Sequence, residues 1–129
     1  MTTELCMLMW SVVLGLLQVA IAATCSIGQR GLDWAASPRD EVKPPLSSIG
    51  GRLDRARANF LETFPLFAAA VLLAHLLQRH DNLTVLGAQL YFWARLAYVP
   101  VYAAGIPYLR TLVWTVSIIG IVLLLAALF

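Results

Sequence analysis

The chain has 129 residues, of which 60% are hydrophobic and 12% charged, and its net charge is +2. Soluble domains run about 45–50% apolar and about 25% charged, so this composition excludes an ordinary water-soluble domain and makes the bilayer the solvent. Length leaves room for a single domain, residues 1–129.

Crossing a bilayer takes about 20 consecutive apolar residues. Four stretches meet that requirement: 5–24, 60–78, 84–105 and 111–129. The first lacks the basic leader of a secretory signal, since only Glu4 is charged ahead of its apolar run. It is therefore read as a span. The connection that follows, 25–50, holds Gly31, Pro38, Pro44, Pro45 and Gly50, and predicts an irregular loop without a further helix. A second helix is predicted to begin near Arg52, enter the membrane near Phe60, and kink or open its hydrogen-bond ladder at Pro65. The polar turn 79–82 makes the second and third spans antiparallel neighbours, and Gly105-Ile106-Pro107 separates the third from the fourth. The predicted fold class is an all-α membrane protein, a four-helix transmembrane bundle running up and down.

Charge orients this bundle. The loop after the first span and the start of the second hold Arg30, Arg39, Lys43, Arg52, Arg55 and Arg57, and Arg110 lies between the third and fourth. The opposite side has Arg79 alone. Basic loops face the cytoplasm, so segments 25–59 and 105–110 are predicted to be cytoplasmic, as in a bacterial inner membrane. Cys6 and Cys25 form no redox or metal motif and are expected as free thiols. No metal-ligand pattern is present. The basic residues adjoin membrane spans, which removes nucleic acid as a partner.

Polar residues inside the spans carry the functional signal. At about 100° per residue, Arg52, Arg55, Asn59 and Glu62 fall within roughly 80° of one helical face. Tyr91, Arg95, Tyr98 and Tyr102 form a second stripe within about 60°. An arginine at membrane depth faces a partner or a wet cavity, and Glu62 is expected to pair with Arg95 or Arg55. Topology allows Arg55, Asn59, Glu62, Tyr98, Tyr102 and Arg110 to meet at the cytoplasmic end. Arginines pair with carboxylates two bonds at a time, which suits a small, peptide-like anion. The plainer alternatives are that Arg52, Arg57 and Arg110 only set orientation, that Tyr102 anchors at the interface, and that Glu62 and Arg95 form a structural ion pair.

RLDRARANFLETFPLF at 52–67, with FWARLAYVPVY at 92–102, resembles the MAPEG superfamily, membrane-associated proteins of eicosanoid and glutathione metabolism. Its specific elements are the spacing from Arg55 through Asn59 to Glu62, with Pro65 just after, and the run from Ala94 through Arg95 and Tyr98 to Tyr102. The resemblance implies a homotrimer of four-helix protomers that binds glutathione near the cytosolic face as a co-substrate. It implies that Arg55, Asn59 and Glu62 hold glutathione, that Tyr98, Tyr102 and Arg95 bind it from the third span, and that Arg110 stabilises the thiolate. Two features depart from the more active synthases: Ala103 and Ala104 stand where those are more basic, and no arginine of the first loop aligns with the family's. The SPRDEVKPP loop is similar to the compact bacterial branch.

Three functions follow as competing expectations. The first is glutathione transfer to, or reduction of, a lipophilic electrophile or hydroperoxide arriving from the membrane lipids. The second is a non-catalytic binding or scaffold protein of the same fold. The third is a small transporter, disfavoured because two matching halves with interrupted helices are absent.

Overall fold

The computed structural model describes all 129 residues, and its only regular elements are helices. They are α1 (Thr3–Arg30), α2 (Leu32–Ala36), α3 (Ser48–Leu76), α4 (Asn82–Ala104) and α5 (Pro107–Ala126). Five helices thus replace the four expected. The extra one, α2, lies in the connection expected to be irregular, and local side-chain bonds explain it. The Ser37 hydroxyl donates to the Trp34 carbonyl at 2.6 Å, and the Trp34 indole donates to the Glu41 carbonyl at 2.7 Å. Arg30 and Arg39 flank the same indole at 5.2 and 5.3 Å.

Two other boundaries move. α1 continues past Thr24 to Arg30, and α3 begins at Ser48, ahead of Arg52. α3 also runs without interruption through Pro65, and α4 through Pro100. The break after α4 falls where the sequence places it. Gly105 adopts φ +75°, a left-handed cap that glycine tolerates, and Pro107 opens α5 at a position needing no amide hydrogen.

α1, α3 and α5 are long and apolar enough to cross a membrane. α4 has the length, with 23 residues, but carries Gln89, Arg95 and three tyrosines. Large apolar side chains face outward along the others, including Leu16, Leu66 and Leu112, each at least 60% exposed. Such a surface suits acyl chains.

Successive long helices run in opposite directions. At one end the Thr84 hydroxyl donates to the buried Glu4 carboxylate at 2.6 Å, joining the start of α4 to the start of α1. His80 stands 3.5 Å from the same carboxylate. Asp81 caps α4 through the Leu83 and Thr84 amides. At the other end, Arg52 of α3 reaches the last turn of α4.

Helices in lipid gain little hydrophobic free energy from each other, so close packing and hydrogen bonds must hold them. The core shows both. Phe67 stacks on Tyr91 with ring centres 4.0 Å apart, and the Tyr91 hydroxyl shares a 3.0 Å hydrogen bond with Thr63. Leu14, Val71, Ala88, Ile121 and Leu124 close around them. α4 and α5 approach most intimately at Gly87 and Gly120, where a β-carbon on either would lie 2.6 Å from the other's carbonyl oxygen.

Candidate functional site

The end of the bundle that holds most of the basic residues carries a cleft formed by α3, α4 and α5. Its deeper part, about 230 Å³, is lined by Arg55, Asn59, Tyr98, Tyr102, Arg110, Thr111 and Trp114. An adjoining outer part of about 340 Å³ shares Arg55, Tyr102 and Arg110, and adds Arg52 and the turn Gly105–Pro107.

Helical spacing explains each contribution. Arg52, Arg55 and Asn59 recur every three or four residues on the first turns of α3 and share one face. Tyr98 and Tyr102 are one turn apart on α4, with ring centres 5.6 Å from each other. Arg110, Thr111 and Trp114 come from the opening of α5.

Tyr102 is the hub. The Arg55 Nε donates to its hydroxyl at 3.2 Å, and the Arg110 guanidinium lies 4.8 Å from its ring centre. Arg52 is committed elsewhere, donating to the Ala103 carbonyl at 3.1 Å and so capping α4. Arg57 points away from the cleft and pairs with Asp54 at 2.9 Å. No acidic side chain lines either part. Guanidiniums in a lining without carboxylates make the cleft attractive to anions.

One lining atom lacks a partner. The Asn59 Oδ1 is buried and accepts no hydrogen bond. Leaving such an acceptor unsatisfied costs about 1–3 kcal/mol.

Of the residues expected to meet, Arg55, Asn59, Tyr98, Tyr102 and Arg110 do so. Glu62 and Arg95 do not line the cleft. The pairing expected of Glu62 with Arg95 or Arg55 is not made, since the only ion pairs are Lys43–Glu41, Arg57–Asp54 and His80–Glu4. Glu62 is exposed on α3 and joins no ion pair, although its carboxylate acts through space on Arg95 and Tyr98 of α4. Arg95 is 1% exposed and lies against aromatic rings inside the bundle.

Thr111 and Trp114 also line the cleft, outside the polar stripes that the sequence marks. The available signal was spacing: Trp114 follows Arg110 by four residues and therefore shares its helical face. Cys6 and Cys25 are free thiols, as expected, and neither lies in the cleft. No group of three or more histidine, cysteine or acidic side chains is placed to hold a metal ion.

No curated protein sequence matches this chain. The model of the MAPEG family, however, matches residues 7–129, from the first helix through the cleft to the C-terminus. The chain belongs to the MAPEG family.

Proposed function

We propose that this protein binds glutathione in the cleft between α3, α4 and α5, and conjugates it through its sulfur to lipophilic electrophiles or uses it to reduce lipid hydroperoxides. Family membership supports a membrane protein concerned with glutathione. The single observation carrying the reading is the acid-free cleft lined by Arg55, Asn59 and Arg110, in which the Asn59 amide oxygen accepts no hydrogen bond. Glutathione supplies what those groups lack: carboxylates for the guanidiniums and peptide N–H groups for the amide oxygen.

The chemistry begins with the thiol. Tyr102 already accepts a hydrogen bond from Arg55, which leaves its own hydroxyl proton free to donate to sulfur. The Arg110 charge beside it favours the anion, and a thiolate is the nucleophilic form. With an electrophile, sulfur forms a carbon–sulfur bond as the leaving group departs with its electron pair. With a hydroperoxide, sulfur attacks the terminal oxygen and releases an alcohol. A second glutathione then displaces the sulfenic oxygen as water, giving the disulfide.

The exposed Glu62 belongs to a surface that a neighbouring protomer covers in a homotrimer of four-span protomers. The basic end lies toward the cytoplasm of a bacterial inner membrane, where glutathione is in solution and the electrophile arrives laterally through lipid.

Calorimetry on detergent-purified protein tests binding, and ultraviolet absorbance of the bound thiolate tests activation. Saturable binding with a thiolate signal that Arg110→Ala reduces is the expected result. A non-catalytic binding protein is the second reading. It is favoured by the contacts of Arg55 and Arg110 with Tyr102, which organise the cleft without any reacting group. Binding with no turnover of chlorodinitrobenzene or a lipid hydroperoxide would select it.

A further inference from the structure

Arg95 poses a separate problem. It is 1% exposed, and its Nε, Nη1 and Nη2 atoms have no hydrogen-bond partner. A guanidinium at membrane depth is expensive and ordinarily faces a counter-charge or water. Here it meets rings instead: its central carbon lies 4.4 Å from the Tyr98 ring centre and 5.6 Å from that of Phe60.

The contacts continue outward from there. Tyr98 neighbours Tyr102 at 5.6 Å, and Tyr102 carries Arg110 on its ring at 4.8 Å. Cations and phenol rings therefore form one file from the bundle interior to the cleft. Tyr98 and Tyr102 line the cleft, whereas Arg95 does not. Arg95 stands one ring behind the wall, closed off from any guest by Tyr98.

We propose that Arg95 is a positioning residue: from behind the wall it clamps the Tyr98 ring against Tyr102, and its charge, held in no salt bridge, favours an anion on the far side of that ring. The inference rests on the glutathione reading and deepens it, giving Arg95 a part in the site without contact. Two physical facts carry it. A cation over an aromatic face attracts the ring and restricts its tilt. A buried charge held in no salt bridge also acts over a longer distance than an exposed one, because little solvent screens it, and the Glu62 carboxylate on α3, acting through space, offsets only part of it.

The test uses full-length protein in lipid nanodiscs: wild type, Arg95→Met, Arg95→Lys, Tyr98→Leu and the Tyr98→Leu/Arg95→Met double variant. Glutathione is titrated against pH by thiolate absorbance. Binding of S-methylglutathione, which has no ionisable thiol, is measured by calorimetry. Arg95→Met should raise the apparent pKa of the bound thiol by about half a unit to one unit, leaving about 3- to 10-fold less thiolate at a fixed pH. S-methylglutathione affinity should stay within about twofold, Arg95→Lys should shift the thiol less than Arg95→Met, and the shift should shrink in the Tyr98→Leu background.

An unchanged titration in Arg95→Met, a shift indifferent to Tyr98, or equal loss of both ligands would overturn the proposal. Should Arg95→Met not fold, Arg95→Lys, which retains the charge but not the planar stack, carries the same comparison. A fluorotyrosine at position 98 provides a readout that needs no ligand. One narrow fluorine resonance in wild type and an exchange-broadened one in Arg95→Lys are expected, and identical lines would refute the clamp. Failure of wild type to bind either ligand, with the fluorine result intact, would instead reject the glutathione reading alone.

Discussion

At the scale of single residues, the cleft is defined by which polar atoms are already satisfied. Arg52 and Arg57 are spent on the Ala103 carbonyl and Asp54, so they serve the helix ends. Arg55, Arg110 and Asn59 keep capacity for a guest. Asn59→Leu removes an orphan acceptor, and two opposite effects should follow. Ligand-free protein should melt at the same or a higher temperature, because a buried unsatisfied oxygen has gone. Glutathione affinity should fall about 5- to 30-fold, equivalent to one lost hydrogen bond of about 1–2 kcal/mol. A drop in ligand-free stability with affinity intact would show that Asn59 serves the fold. Arg110→Ala should leave the melting temperature nearly unchanged and lower the bound thiolate about tenfold at neutral pH, read by absorbance. The residue-level stripes were legible in the sequence. Their partners were not: Glu62 shares a face with Asn59 yet is exposed, and Arg95, expected to pair with Glu62, makes no salt bridge and lies against Tyr98 and Phe60.

At the scale of elements, α4 and α5 act as a closely packed pair whose opening carries the site. The backbones touch at Gly87 and Gly120, where a β-carbon would meet a carbonyl oxygen at 2.6 Å. Gly87→Val is therefore expected to destabilise the protein by about 1–3 kcal/mol, the usual range for overpacking, and to weaken glutathione binding from a distance. A thermal melt with calorimetry on the surviving folded fraction checks both. Gly105→Val should also destabilise, since its φ of +75° disfavours any β-branched residue and its β-carbon would stand 3.2 Å from the Arg52 guanidinium. The break at Gly105–Pro107 could be read locally because glycine and proline dictate backbone geometry on their own. α2 could not, because its turn depends on Trp34 being held by Arg30, Arg39 and Glu41 from both sides in sequence.

At the scale of the whole molecule, seven basic side chains gather at one end and Arg79 marks the other. Cysteines introduced at Ser37 and Asn82, in a Cys6→Ser/Cys25→Ser background, should react with an impermeant maleimide from opposite sides of sealed vesicles. Labelling of both from one side would remove the proposed orientation. Native mass spectrometry in detergent should report three copies. Glu62→Leu should raise the monomer fraction, if the exposed carboxylate meets a neighbour, while leaving the monomer's own melting temperature unaffected. A trimer indifferent to Glu62→Leu would place that residue against solvent or ligand instead.

The sequence by itself determined the bilayer as solvent, the helical class, the sidedness of charge and the faces on which polar residues fall. Each of these is a local quantity, set by composition within one helix or by the 3.6-residue repeat. The tertiary structure alone decided which members of a stripe share a cavity. A polar stripe spreads over roughly 80° of a helix surface, whereas a neighbouring helix with its axis about 8–10 Å away covers only part of that arc. Arg55 and Asn59 line the cleft with residues of α4 and α5, while Glu62, on the same face of α3, does not.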